Sequence, residues 1–351
     1  MKKILVTGGC GYIGAHTIVD LIENGFDAIS IDDNSRSTAI LLDGIKKITG
    51  KQVKNYKVDL CNYDETFAVF QENPDIEGII HFAAYKAVGE SVEQPLIYFE
   101  NNLFSMVNIL KCVKEFNVPY FIFSSSCTVY GNPDEIPVTE STPQKPPESP
   151  YGATKQMGEQ ITEQSLQNTK TKSILLRYFN PVGAHPSANI GEMPLGKPEN
   201  LVPAITQTAI GKIPKLTVYG DDYPTRDGSC VRDYIHVCDI AHAHTLSLQY
   251  LMDKKNSKQC EVFNLGTGNG VSVLEAIKAF EKVSGLSLNY TIGPRRPGDV
   301  VAVYANNSLA KEKLGWKLNH NLEEMMSTAW AWEQKLHKDE ELHNNPNYQM
   351  N

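Results

Sequence analysis

No run in the chain approaches the roughly 20 apolar residues that a membrane-spanning helix needs. Positive charge is not in excess: 33 Lys and Arg stand against 41 Asp and Glu, a formal net charge of −8. The composition therefore carries no footprint for nucleic acid. The seven cysteines are scattered, odd in number and without a C-x-x-C pair. That argues against a disulfide framework or a cysteine zinc site, and for reduced thiols in the cytoplasm. His242 and His244 resemble a metal pair, but side chains at i and i+2 of a helix point apart, so no metal is expected. The first residues, MKKILVTGGCGYIG, lack the long apolar core of a signal peptide, because glycines interrupt it, and they read as a strand. Repeats and low-complexity segments are also absent.

What is present is a chain of 351 residues, 41% hydrophobic and 21% charged, ordinary for a globular protein of one large or two modest domains. Short apolar runs alternate with amphipathic stretches over the first 180 residues. KILVT, DAISID, VKNYKVDL, GIIHFAA, YFIFSSS and SILLRYF read as strands. YIGAHTIVDLIENG and TAILLDGIKKITG, a stretch after Asp64, a long one to about Glu115 and one holding Tyr151 read as helices. Strands alternating with helices of this length pair in parallel through right-handed crossovers, which predicts an α/β fold with a doubly wound parallel sheet. From Asn180 the texture changes: NPVGAHPSANIGEMPLGKPEN has no period and reads as a loop of the length that is often functional. The tail after about His337 is polar and expected to be mobile.

Between the first strand and the first helix lies VTGGCGYIGAH, which fits both Gly8-x-x-Gly11-x-x-Gly14 and Gly9-x-Gly11-x-x-Gly14. In that context glycines let the backbone turn tightly and approach a pyrophosphate at the helix N-terminus, the Rossmann-type dinucleotide fingerprint. Asp32 closes the second strand, where a carboxylate meets the adenosine ribose hydroxyls. With Asp33 it would repel a 2′-phosphate, favouring NAD; Arg36 would favour NADP. Asp59, at the end of the third strand, is expected either to reach the adenine or to cap the strand.

SPYGATK sets Tyr151 one helical turn from Lys155. A phenol near pKa 10 does little acid–base work at neutral pH; lowering it to about 7 asks for roughly 4 kcal/mol. A positive nicotinamide and the Lys155 ammonium both favour the phenolate, which could then take a proton from a substrate hydroxyl as the adjacent carbon releases hydride. Ser126, in FSSSCTVYG, adds a hydroxyl at a strand's C-terminal end. Each of these residues has a plainer structural reading, as a helix face or a strand-end turn.

Taken together, TGGCGYIG, HFAAYKAVGESV, FSSSCTVYG, SPYGATK, LLRYFNPVGAHPS, DGSCVRDYIHV and RRPGDV resemble the extended short-chain dehydrogenase/reductases. Within them they resemble the UDP-glucose (UDP-galactose) 4-epimerases, over residues 1 to about 335. The resemblance implies a Rossmann-type NAD-binding domain at 1–180, with about 233–260 returning to it. A smaller mixed α/β UDP-sugar domain would occupy 181–351, and the enzyme would be a homodimer. It implies Gly8, Gly11, Tyr12, Ile13, Gly14, Asp32, Asp59, Leu60, Phe82, Ala83, Lys86, Asn101 and Tyr178 along the cofactor. Ser126, Asn180, Asn200, Leu201, Tyr219, Arg232, Arg296 and Asp299 would meet the UDP-hexose. Planar arginine forks suit its phosphates. The implied reaction inverts C4 through a 4-keto sugar: Tyr151 is the base, Lys155 holds the nicotinamide ribose and keeps Tyr151 acidic, and Ser126 shares the hydroxyl.

A 4,6-dehydratase would share fold and Tyr/Lys pair, but the resembling dehydratases carry Asp-Glu where Cys127-Thr128 stand here. A net NAD-dependent oxidoreductase and a redox-silent NAD-sensing regulator are the other readings. Val303 stands where the resembling epimerases place a residue near the sugar's C2. A tyrosine there would fill the space of an N-acetyl group and valine leaves it open, which predicts activity on UDP-GlcNAc and UDP-GalNAc as well.

Overall fold

A computed structural model describes residues 1–296 and 300–344, with side chains as far as Glu340. Its strands are β1 (Lys3–Thr7), β2 (Asp27–Ile31), β3 (Asn55–Tyr56), β4 (Ile76–His81), β5 (Tyr120–Ser126), β6 (Lys172–Tyr178) and β7 (Asn180–Val182). They continue as β8 (Leu216–Tyr219), β9 (Val231–Arg232), β10 (Tyr234–His236), β11 (Cys260–Leu265), β12 (Val271–Ser272), β13 (Tyr290–Gly293) and β14 (Ala302–Val303). Between them run α1 (Tyr12–Glu23), α2 (Ile40–Thr49), α3 (Tyr63–Glu72), α4 (Val88–Glu93), α5 (Pro95–Glu115) and α6 (Pro150–Leu166). The later helices are α7 (Leu201–Ala209), α8 (Val237–Met252), α9 (Val273–Ser284), α10 (Ser308–Leu314) and α11 (Leu322–Asn344).

Seven strands form one sheet in the order β11-β6-β5-β4-β1-β2-β3, every pairing parallel. This is the doubly wound order with one more edge strand, and it reverses direction at β1 and β4. The strands bury both faces. In β1, Ile4 and Val6 join a cluster with Ile18 and Val19 of α1 and Ile240 and Leu248 of α8. Leu5 faces the other way, among Phe70 of α3 and Ile109 and Leu110 of α5. The period of two thus divides one apolar run between two cores. Truncating a fully buried ring such as Phe121 to alanine costs about 3–5 kcal/mol. A third cluster joins Ile205 of α7, Val218 of β8, Phe280 of α9 and Met326 of α11.

The long helix expected to about Glu115 is α5; Gln94, preceding Pro95, sits at φ −132 and ψ 60 and ends the short α4 before it. Proline excludes the helical region for the residue before it. The third strand is only Asn55–Tyr56, so Asp59 lies beyond it. The stretch from Asn180 is not loop throughout, because β7 pairs with β10 outside the main sheet. The return to the sheet is made by α8, packed on α1, and by β11, which ends at Leu265 beside β6. The last helix passes His337 and runs to Asn344.

Candidate active site

The C-terminal ends of β1, β4, β5 and β6 open onto the point where the strand order reverses, the crevice in which such sheets hold ligands. Gly8 follows β1 at φ +70, a backbone state few side chains adopt. A Cβ on Gly14 would run into the Gly8 carbonyl, so the helix starts flush against the turn. Gly11 caps α1 without a side chain over its first amides. Tyr12 anchors that start, its hydroxyl donating to the Gly183 carbonyl at 2.5 Å, and Ile13 packs against the core.

Asp32 is buried and tied to the same turn. Its carboxylate accepts from the Cys10 amide at 3.0 Å, the Asn34 amide at 3.0 Å and the Ser37 hydroxyl at 2.7 Å. Burial nevertheless raises its pKa, so one more donor, such as a ribose hydroxyl, suits it. Arg36 is committed elsewhere: it pairs with Glu90 at 2.7 Å and lies 4.4 Å from the Tyr85 ring centre. Its pull toward a 2′-phosphate is thereby answered, and the cradle fits NAD. Phe82 and Ala83 reach the turn from β4, both amides lying 3.2 Å from the Thr7 hydroxyl. Asp59 is exposed, lies beyond β3 and accepts from the Cys61 amide at 2.8 Å. Leu60 is buried, and its carbonyl accepts from Asn108. Asn101 donates to Asn102 at 2.9 Å. The sequence reading missed Asn102, which is buried and ties the Tyr85 backbone to Thr154 of α6; its one signal was adjacency to Asn101.

Tyr151 occupies the first turn of α6, which Pro150 opens and Ser149 caps by accepting from the Gly152 amide. Tyr151 is partly buried. Ser126 ends β5, in register with Tyr178 of β6, and its hydroxyl stands beside the Tyr151 phenol. The Tyr178 hydroxyl is hydrogen-bonded to Ser124. Lys155 is buried, donates to the Ser124 carbonyl at 2.7 Å and lies 5.8 Å from the Tyr151 ring centre.

The phenolate expected at Tyr151 counts the charge of a bound NAD+; the chain's own groups set a different balance. Within the chain itself burial pushes the Tyr151 phenol well above its ordinary value, and Tyr178 adds to this; the Ser126 hydrogen bond opposes it only in part. Lys155 does not reverse that balance. Burial lowers its own pKa to about 8, with Glu159 pulling the other way. Below it His81, whose ring nitrogen meets the Thr7 hydroxyl at 2.8 Å, is held neutral by burial at about 3.

On the other side of the cleft, the Asn180 amide donates to the Asp233 carbonyl at 2.9 Å. The buried carboxylate of Asp233, in RDYIHV, gathers the Thr267 and Ala305 amides at 2.8 and 3.1 Å. Asn200 caps α7 and Leu201 begins it. Tyr219 ends β8 half exposed, with the Arg296 guanidinium 5.7 Å from its ring centre. Arg232 lies on β9, donates to the Val231 and Val300 carbonyls at 2.9 and 2.7 Å, and is in register with Val303 of β14. Val303 is a strand residue only 7% exposed. Lys86 and Asn200 both donate to Glu192, a residue the sequence reading passed over. Asp299 lies outside the described residues. Among those residues no group of three or more His, Cys, Asp or Glu could hold a metal ion. His242 faces Asp20 at 3.1 Å, while His244 bonds the Ile240 carbonyl.

A family model described as GDP-mannose 4,6 dehydratase matches residues 5–329. The UDP-glucose 4-epimerase of Bacillus subtilis (strain 168) is 48% identical over 331 residues, 94% of this chain and 96% of the relative. Among solved structures, UDP-glucose-4-epimerase from Stenotrophomonas maltophila, with bound NAD and formylated UDP-arabinopyranose, matches with a TM-score of 0.93 and 43% identity. That match covers 97% of this chain and 100% of the other. The Bifidobacterium longum enzyme in complex with NAD+ and UDP matches with a TM-score of 0.90 and 46% identity, covering 95% and 98%. With close likeness along almost the whole chain in sequence and in fold, the protein belongs to the UDP-glucose 4-epimerase family.

Proposed function

We infer that the protein is an NAD-dependent epimerase that inverts C4 of a UDP-hexose, interconverting UDP-glucose and UDP-galactose. The observation that carries this reading is the convergence of Ser126, Tyr151 and Lys155 on the crevice that the glycine turn and Asp32 line. NAD would supply the hydride acceptor and donor for C4. Gly8, Gly11 and Gly14 would cradle its pyrophosphate, Asp32 would bind its adenosine ribose, and Phe82, Ala83, Lys86, Asn101 and Tyr178 would border it. Tyr151 takes the O4 proton as C4 is oxidised and gives it back as the 4-keto sugar is reduced on its other face. Ser126 orients O4. Lys155 holds the nicotinamide ribose. Because the cycle is redox-neutral, nothing has to leave between turnovers except the sugar nucleotide. The Cys127-Thr128 pair supports epimerisation over dehydration, since neither side chain supplies the acid that elimination of water needs.

The division at about residue 180 extends this reading. The main sheet with α8 and β11 forms the NAD-binding part. The part around β8, β9, β14 and α7 holds UDP through Asn200, Leu201, Tyr219, Arg232 and Arg296, with Asp299 beyond the described residues. Valine at 303, in register with Arg232, in place of a tyrosine would spare the space of an N-acetyl group, extending the substrates to UDP-GlcNAc and UDP-GalNAc. Two copies pair through the exposed apolar residues Leu96, Phe104 and Val107 of α5 and Met157 of α6. None of the helices among the described residues is long and apolar enough to cross a membrane. Incubation with UDP-galactose and separation of the products tests the main reading. The expected result is UDP-glucose without net NADH; no conversion, or NADH accumulating with product, overturns it.

A further inference from the structure

The segment 183–200 lies between the proposed dinucleotide and UDP positions and is tied down on both sides. The Tyr12 hydroxyl holds the Gly183 carbonyl at one end. Farther along, the Trp332 indole of α11 donates to the Glu192 carbonyl at 2.8 Å, and Gly191 lies so close to that ring that a Cβ would collide with it. The Glu192 backbone is therefore fixed, and its side chain is only 12% exposed. One oxygen, Oε1, accepts from Lys86 Nζ at 3.0 Å and from Asn200 Nδ2 at 2.7 Å. Lys86 belongs to the loop after β4, at the reversal of the sheet; Asn200 caps α7.

We propose that Glu192 is a positioning residue that aims the Lys86 ammonium at the dinucleotide and the Asn200 amide at the UDP diphosphate, coupling the two sites through one carboxylate oxygen. This rests on the roles given to Lys86 and Asn200 above. A carboxylate between two pyrophosphates repels both unless it serves their donors. An ammonium has three N–H groups and a carboxamide two, so one from each can go to Glu192 and leave the rest for ligand. Long side chains fixed before binding lose less freedom on binding. Since both donors share an oxygen, a ligand that steadies one steadies the other, and that coupling is reciprocal.

The test uses the NAD-loaded enzyme and its Glu192→Ala and Glu192→Gln variants. It measures kcat and KM for UDP-galactose, and NAD retained per chain on dialysis with and without UDP. Glu192→Ala should raise KM about tenfold, the effect of losing a charge-assisted hydrogen bond. It should speed NAD loss by about threefold, as an exposed ion pair allows, and abolish the slowing of that loss by UDP. The kcat per loaded chain should hold, because Glu192 touches no reacting atom. Glu192→Gln keeps an acceptor for Asn200, so KM should recover while NAD loss stays fast. Unchanged or lower KM and NAD loss in Glu192→Ala overturns the proposal, as does a fall in kcat at constant KM. Lys86→Met and Asn200→Ala separate the levels. If the first leaves NAD retention unchanged, or the second leaves KM unchanged, the underlying assignment fails; if both shift and Glu192→Ala does not, only the coupling fails.

Discussion

Replacing Lys155 by methionine should stabilise the cofactor-free protein while destroying its activity. Lys155 is 5% exposed, and burial lowers its pKa from 10.5 to about 8. At about 1.36 kcal/mol per pH unit, keeping the ammonium in place costs the folded protein about 3 kcal/mol below pH 8. Against this stands the hydrogen bond from the ammonium to the Ser124 carbonyl, worth about 1.5 kcal/mol for a charged donor. Methionine matches the length of the side chain and carries no charge, so Lys155→Met should gain about 1.5 kcal/mol at pH 7, a rise of a few degrees in Tm. The sign with pH follows from proton uptake. Between pH 8 and 10.5 the unfolded chain holds the Lys155 proton and the folded chain does not, so the parent gains stability as pH rises through that window. The variant has no such slope at this site, so its advantage should shrink above pH 8, vanish at about pH 9 and reverse before pH 10.5. Urea unfolding of NAD-stripped parent and variant across pH 7 to 10.5 measures both effects. A variant less stable at pH 7, or an advantage independent of pH, would refute the account of a buried ammonium held at a cost.

Tyr151→Phe removes the proton acceptor and keeps the ring; turnover of UDP-galactose should drop by about 10²–10⁴-fold with NAD still bound, and retention of a third of the activity would contradict the role. Val303→Tyr should abolish activity on the N-acetyl sugars while sparing the plain ones, as product analysis with both pairs would show; equal loss on both assigns Val303 to the core alone. Glu159→Gln leaves the buried Arg177 without its 2.6 Å partner, a loss of about 3–5 kcal/mol readable in thermal unfolding. Because Glu159 raises the Lys155 pKa, the same variant should move the alkaline limb of the pH–rate profile to lower pH.

How far the sequence could be read depended on whether a feature is written in local pattern. The strand read as YFIFSSS is β5, Tyr120–Ser126, because an apolar run flanked by turns and buried on both faces has few other fates. The glycine turn was legible for the same reason: positive φ at Gly8 and the tight approach at Gly14 restrict residue type at fixed spacing. The break at Gln94–Pro95 was legible in principle, since proline restricts its neighbour. What escaped was tertiary. β7 is three residues long and exists only because β10, distant in the chain, pairs with it. Glu192 sits in a segment without period, and nothing local marks it as the acceptor shared by Lys86 and Asn200.

The electrostatics of Tyr151 and Lys155 show the same limit most sharply, because spacing shows the attraction between them and not the desolvation that the fold sets against it. Spacing put an ammonium one turn from a phenol, and from spacing alone the attraction is all that can be estimated. The fold adds what spacing omits. Both side chains lie on α6 where it packs against the end of β5, desolvation raises the phenol and lowers the ammonium, and the ammonium turns to the Ser124 carbonyl. The two shifts oppose catalysis in the chain by itself: Tyr151 holds its proton, and Lys155 is close to losing its own at neutral pH. A phenol in that state is a poor base toward water or a stray hydroxyl. Its acidity then depends on the positive nicotinamide that NAD+ would bring, so the groups that hold NAD in place also decide when the base is available. In a redox-neutral cycle this confines proton abstraction to a loaded cleft, where the 4-keto sugar can be reduced again before it escapes.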